Sequence, residues 1–235
     1  MIAALSDFHM GSSERGDCFR HSIEGFHQYL DQLEATHDCL VLLGDIFQSE
    51  HGRSLSSAGK LRELHRAQKH WSSLWNRLQG PKYHYVFGNH DAMASAHNQA
   101  DESLRLEADG FSIFFVHGHQ YDPLLRRAYP LAQASTWFSG RLRKLGASPL
   151  ADWLEHQDIR IKNEAFRGTG GPYVQAARQL LVSHEVDLVV MGHTHIPTRL
   201  DMAEGIFANT GTCSVGQRMH ISIDTAAASV EQVLG

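Results

Sequence analysis

The chain has 235 residues, 42% hydrophobic and 20% charged, the composition of an ordinary soluble globular protein long enough to bury a sizeable core. No window approaches the ~18 consecutive apolar residues of a membrane span, and the opening MIAALSDFHM has neither the basic region nor the cleavage site of a signal peptide. A net charge of −5 does not imply general affinity for nucleic acids, so no long nucleic acid is expected as partner, and the widely spaced Cys18, Cys39 and Cys213 read as reduced thiols of a cytoplasmic protein.

Short apolar runs recur along the chain: IAAL from Ile2, CLVLL from Cys39, YHYVF from Tyr83, FSIFFV from Phe111, VDLVVM from Val186, GIFA from Gly205 and HISI from His220. They read as strands, several of them apolar on both faces. Between the first two, Ile23, Phe26, Leu30 and Leu33 share one helical face; between the next two, Trp71, Leu74, Trp75 and Leu78 do the same. This alternation predicts an α/β fold with helices packed outside the sheet. After Gly205 strands come one directly after another, which predicts an antiparallel part near the C-terminus.

Residues 120–180 break the rhythm. They are helix-like, with Trp137, Phe138, Leu142 and Leu145 on one stripe and Leu150, Trp153 and Leu154 on another, punctuated by Pro149 and the GTGG at 168–171. They hold nine Lys and Arg against five Asp and Glu on an otherwise acidic chain, which suggests an anionic partner or a solvated basic face. Residues 1–235 therefore read as a single domain carrying a basic, amphipathic helical insertion at about 120–180 folded over the sheet edge.

In open α/β sheets, ligands bind beyond the carboxyl ends of the strands. Those ends carry Asp7 and His9, then Asp45, then Asn89, His90 and Asp91, then His117 and His119, and finally His193 and His195. Any one of these has an ordinary structural explanation, a cap or a turn; five successive strand ends with metal-ligand chemistry do not. His193 and His195, two apart in VVMGHTHIP, are expected to point to one side and aim at one spot. Carboxylate, amide oxygen and imidazole without thiolate suit Mn²⁺, Fe, Co or Zn²⁺. Seven ligands suit two divalent ions about 3.5–4 Å apart, sharing Asp45 as a bridge, with a bridging hydroxide attacking phosphorus in line.

These residues, in the blocks SDFHMGS, LLGDIF, FGNHDA, VHGH and MGHTHIP, resemble the calcineurin-like metallophosphoesterase superfamily. The resemblance implies a four-layer α/β/β/α sandwich. It implies Asp7, His9 and His195 on one metal, Asn89, His117 and His193 on the other, Asp45 on both, and His90 as general acid. Many members carry an acid three positions after the bridging aspartate, some using it to orient that histidine. Here the position is Gln48, so what orients His90 is open, with Asp91 the nearest acid in sequence. His119 and Asp91 are candidates for supporting roles beside the ligands.

Within the superfamily the chain is similar to UDP-2,3-diacylglucosamine pyrophosphohydrolases, which also carry a basic helical insertion before GHTH and belong to lipid A biosynthesis. That similarity implies an anionic, lipid-linked diphosphate substrate held by Arg126, Arg127, Arg141 and Arg143, together with Lys144, Arg160, Lys162 and Arg167, and peripheral contact with the inner face of a membrane. The aromatics of the insertion would then cover acyl chains, or else simply pack it onto the body. Against this, the position of His90 is often arginine in that group; histidine suits a soluble nucleotide or small phosphodiester with a poor leaving group. A third reading, a non-catalytic protein-binding scaffold, is disfavoured because such members tend to lose ligands that this chain keeps.

Overall fold

The computed structural model describes residues 1–13, 17–97, 99–154, 157 and 170–235. Two five-stranded sheets stack face to face between layers of helix. The first has the order β10-β9-β1-β2-β3, from β1 (Ile2–Leu5), β2 (Cys39–Leu43), β3 (Tyr83–Val86), β9 (His220–Asp224) and β10 (Ser229–Val233). The second has the order β4-β5-β6-β8-β7, from β4 (Ser103–Ala108), β5 (Phe111–Val116), β6 (Leu188–Met191), β7 (Thr198–Met202) and β8 (Gly205–Asn209). β1, β2 and β3 run parallel, as do β5, β6 and β8; the antiparallel strands lie at the margins.

Alternation along each strand sorts the side chains into layers. Ile2, Ala4, Val41 and Leu43 meet Ile113, Phe115, Leu188 and Val190 between the sheets. Their neighbours Ala3, Leu5, Leu40 and Leu42 face outward, against Phe26, Leu30 and Leu33 of α1 (Ile23–Thr36) and Leu74 and Leu78 of α3 (Ser72–Leu78). On the far side Phe114, Val116, Val189 and Met191 meet Val174, Ala177 and Leu181 of α5 (Pro172–His184). The architecture is the four-layer α/β/β/α sandwich that the resemblance implied, and each buried Leu or Phe side chain contributes roughly 1.5–3 kcal/mol to it.

Helix starts follow their caps. Ser22 begins α1 by accepting the Gly25 N–H at 3.1 Å. Asp122 begins α4 (Pro123–Lys144), accepting the N–H groups of Leu124 at 2.7 Å and Leu125 at 3.2 Å, with Pro123 in the first turn. α4 bends at Ala128, where φ is −140°, two residues before Pro130, whose ring removes a helical N–H and crowds the preceding turn.

Three strands and one helix escape the sequence reading. β4, β7 and β10 are edge strands; in β4 and β7 apolar residues alternate with polar ones, as Leu104 and Leu106 do in β4, and β10 offers only Val230 and Val233. The amphipathic α2 (Ser57–His70) buries little apolar surface beyond Leu64 and Ala67. Nor does the antiparallel part simply begin at Gly205, because β8 pairs parallel with β6. At the far end of the expected insertion, α5 forms the sandwich's outer layer, since Tyr173, Val174, Ala177 and Leu181 present an apolar face to β5 and β6. No disulfide joins Cys18, Cys39 and Cys213, and among the described residues no helix is long and apolar enough to cross a membrane.

Candidate metal centre

The parallel strands β1, β2, β3, β5 and β6 deliver their next loops to one edge of the sandwich. Sharp backbone reversals there aim the side chains inward. Asp7, His9, Asp45, His193 and His195 all adopt the left-handed conformation, with φ between 52° and 68°. That region is uncommon outside glycine, and such strain gathers at functional sites. The glycines of the motifs make room for ligands from other strands. A Cβ on Gly44, whose φ is +84°, would lie 2.3 Å from His117 Nδ1, and one on Gly88 would lie 2.2 Å from Asp45 Oδ1.

Among the described residues three overlapping groups result, each with ligand atoms within 4.8 Å of one another: Asp7, His9 and His195; His9, Asp45 and His90; and Asp45, His117 and His193. His195 Nε2 lies 3.1 Å from both Asp7 Oδ1 and His9 Nε2, and His117 Nε2 lies 3.2 Å from Asp45 Oδ2. Asp45, common to the second and third groups, stands between the outer ones. His193 and His195 do not aim at one spot as their spacing suggested. β6 ends at Met191, both histidines come after it with left-handed backbones, and they diverge into different groups.

Asp7, Asp45, His117 and His193 each have one atom held by the protein, which leaves another for the site. Asp7 Oδ2 accepts from Ser6 Oγ and from the His193 N–H at 3.0 Å; Asp45 Oδ1 accepts the His90 N–H at 2.8 Å. His117 donates Nδ1–H to the Leu43 carbonyl at 2.8 Å, which leaves the lone pair on Nε2. His193 Nε2 lies 2.9 Å from Asp122 Oδ2, so donation there makes Nδ1 its lone-pair nitrogen, the carboxylate–histidine pairing typical of metal sites. Among the described residues Asp7 Oδ1, Asn89 Oδ1 and His117 Nε2 are buried without a hydrogen-bond partner. Orphaned acceptors of this kind destabilise a fold by about 1–3 kcal/mol each, and divalent cations fit them.

The electrostatics agree. Burial alone would raise the Asp7 and Asp45 carboxyls, but His195 beside Asp7, and His117 and His90 beside Asp45, outweigh it and hold both well below the usual range. His117 is buried, which lowers its pKa, yet Asp45 lifts it to about 9; a cation on Nε2 would displace that proton. Burial and the charge of His117 push His119 down to about 3, which keeps its ring neutral.

Above the groups lies a cavity of about 480 Å³. His9, Asp45, Asn89, His90, His193 and His195 line its floor; Leu124, Leu125, Ala132 and Thr136 of α4 line its roof, and Arg20, Leu154 and Val215 line its sides.

The arginines that the similarity implied for substrate stand away from this cavity. None of Arg126, Arg127, Arg141 and Arg143 lines the cavity. Arg126 and Arg127 are exposed, Arg141 donates to the Arg53 carbonyl at 3.1 Å and lies over Trp137, and buried Arg143 pairs with Asp152 at 2.6 Å. Lys144 likewise binds the His51 carbonyl and Glu63. The basic groups at the C-terminal end of α4 fasten it to the body, and Leu124, Leu125, Ala132, Ser135, Thr136 and Ser139 face the cavity. Arg160, Lys162 and Arg167 lie outside the described residues. Among the insertion's aromatics, Trp137 packs onto the body through the Gly52 carbonyl, whereas Phe138 and Trp153 are more than half exposed.

Asp91 does not orient His90. It accepts from the N–H groups of Ile46, Phe47 and Gly88 and from Tyr85 Oη at 2.6–3.3 Å, bracing the loops after β2 and β3 against each other. Sequence reasoning also missed Arg20 at the cavity wall, Asp122 behind His193 and the buried Glu50. Asp122 carries only the signal of a helix cap before proline, and Glu50 carries none.

Several solved structures are similar in fold. They include a novel archaeal phosphodiesterase (13% identity, 99% of this chain and 98% of that one, TM-score 0.48) and zinc-complexed Vps29 from Entamoeba histolytica (15%, 100% and 97%, 0.47). Yfce, a phosphoesterase from E. coli, is another (16%, 99% and 97%, 0.45). No curated protein matches the chain. The sequence model for calcineurin-like phosphoesterases matches residues 1–197, a span that takes in all three groups of ligand-type residues, and the chain belongs to this family of metal-dependent phosphoester hydrolases.

Proposed function

We propose that the protein hydrolyses a phosphodiester or diphosphate of a small molecule with two divalent ions. One is held by Asp7, His9 and His195, the other by Asn89, His117 and His193, with Asp45 shared. The observation that carries this reading is the set of orphaned buried acceptors within the ligand-type residues, several of which line a roofed cavity. When bound, such ions lower the pKa of water and offset the charge of the phosphoryl group. Mn²⁺ is the expected metal, with Fe, Zn²⁺ or Co²⁺ as alternatives, because the donors are oxygen and imidazole.

The chain's own groups do the rest. His90 Nε2 lies 3.9 Å from Asp45 Oδ2 and lines the cavity, where it can protonate the departing oxygen. The roof of α4 limits access of water and of macromolecular substrates.

For the substrate, the apolar Leu124, Leu125 and Ala132 within the mixed roof of α4 support a phosphoryl compound with an apolar portion, such as a UDP-diacylglucosamine-like diphosphate. Leu131, Phe138, Leu145 and Trp153 on the exposed surface of the insertion support peripheral membrane contact. His90 favours the second reading, a soluble nucleotide or small phosphodiester. Incubation with Mn²⁺ and UDP-2,3-diacylglucosamine, with Asp45→Asn as control, separates them. Asp45-dependent release of UMP supports the lipid substrate; cleavage of bis(4-nitrophenyl) phosphate alone discards it and keeps the chemistry. Turnover of either compound undiminished in EDTA would overturn the metal mechanism.

A further inference from the structure

Like Asp122 behind His193, the buried Glu50 lies outside the ligand groups and reaches a histidine of the cavity floor. Glu50 lies in the loop after β2 and is 3% exposed. Its Oε1 accepts from Lys60 Nζ at 2.8 Å and from Gln133 Nε2 of α4 at 3.0 Å. Its Oε2 lies 3.3 Å from His90 Nδ1. The same loop grips the His90 backbone: Ser49 donates both its N–H and its Oγ–H to the His90 carbonyl. The His90 N–H is meanwhile taken by Asp45 Oδ1. The backbone is therefore fixed on both sides, while the ring has the Glu50 carboxylate 3.3 Å from Nδ1.

We propose that Glu50 is the positioning residue for His90, supplying from two residues further along the loop the acid that Gln48 does not provide. It turns Nδ1 toward itself and Nε2 toward the substrate, and through Gln133 it ties that orientation to the helix roofing the cavity. A carboxylate this buried needs partners on both oxygens. Lys60 and Gln133 both occupy Oε1, which leaves Oε2 for the imidazole. Without an acceptor at Nδ1 the ring can turn over, and the nitrogen facing the leaving group loses its fixed place. The inference rests on the reading of His90 as the group that protonates the departing oxygen.

The test uses the Mn²⁺-loaded protein and two diesters that differ in leaving group, methyl 4-nitrophenyl phosphate and methyl phenyl phosphate. Glu50→Gln is expected to lower kcat on the phenyl ester by about 10–100-fold, part of the ~10²–10⁴ contributed by a general acid. KM should hold, and the nitrophenyl ester, whose leaving group needs no proton, should lose less than about 3-fold. Glu50→Gln/Lys60→Met, which removes the ammonium left without its carboxylate, must show the same split if the single variant folds poorly. Equal losses on both esters, or none, alongside a leaving-group-dependent loss in His90→Asn, would overturn the role of Glu50 alone. An equal loss on both esters in His90→Asn itself would overturn the reading of His90 and this inference with it.

Discussion

Gly88→Ala adds one methyl group to the loop after β3, beside the carboxylate shared between the two proposed ions. The new Cβ would sit 2.2 Å from Asp45 Oδ1 and 2.6 Å from the Asp45 N, far inside the 3.0 Å that real Cβ atoms respect. Gly88 has no left-handed φ, so alanine brings no backbone penalty and the effect is steric. The Asp45 carboxylate must retreat by about 1 Å, away from the His90 N–H that now binds it at 2.8 Å. A misplacement of that size in a catalytic group lowers the rate by about 10²-fold, and overpacking a buried site destabilises by about 1–3 kcal/mol. The assay is kcat/KM on bis(4-nitrophenyl) phosphate with saturating Mn²⁺, beside Tm, which moves about 2–4 °C per kcal/mol at this size. Gly170→Ala, where a Cβ meets nothing within 4 Å, is the control and should match the wild type. Wild-type kcat/KM and metal content in Gly88→Ala would refute the close approach of Asp45.

Asp122→Asn weakens the carboxylate that holds His193 Nε2 while keeping a cap for α4, so Mn²⁺ affinity by calorimetry should fall about 10–100-fold; an unchanged Kd would detach α4 from the metal centre. Stability should also depend on pH through His220, which is remote from the ligand groups. Burial, then the charge of His37, lowers His220 from 6.5 to about 4, and Tyr29 Oη–H donates to its neutral Nδ1 at 2.9 Å. Between those pH values the unfolded chain binds a proton that the fold refuses, so stability rises with pH across the window and is lost as pH falls through it. At about 1.36 kcal/mol per unit the swing is on the order of 3 kcal/mol. Urea melts at pH 4.5 and 7.5 should show wild type losing more than His220→Gln; parallel losses would contradict it.

Most of the site is visible in the sequence because its side chains come directly after apolar strands. Strand plus ligand is a local pattern, readable at Asp7, Asp45, Asn89 and His117 without any long-range contact. His193 and His195 show the limit of that reading: period-two logic holds on a strand, and their left-handed backbones send the two rings apart. Glu50 and Asp122 were hidden because they reach their histidines across 40 and 71 positions. The partners of the arginines were hidden for a related reason. Charge along a segment says nothing of where the opposite charge lies, and Arg143 is buried against Asp152. The edge strands β4, β7 and β10 were lost because one wet face dilutes their hydrophobic pattern.

The most direct measurement is a Mn²⁺ titration of the metal-free protein, tracking bound metal by mass spectrometry and cleavage of bis(4-nitrophenyl) phosphate in the same samples. Two ions per chain, turnover that rises as they bind, and loss of both stoichiometry and turnover in Asp45→Asn are the expected result. Turnover by the metal-free protein, or full activity with Asp45 replaced, would contradict a metal centre built on that aspartate.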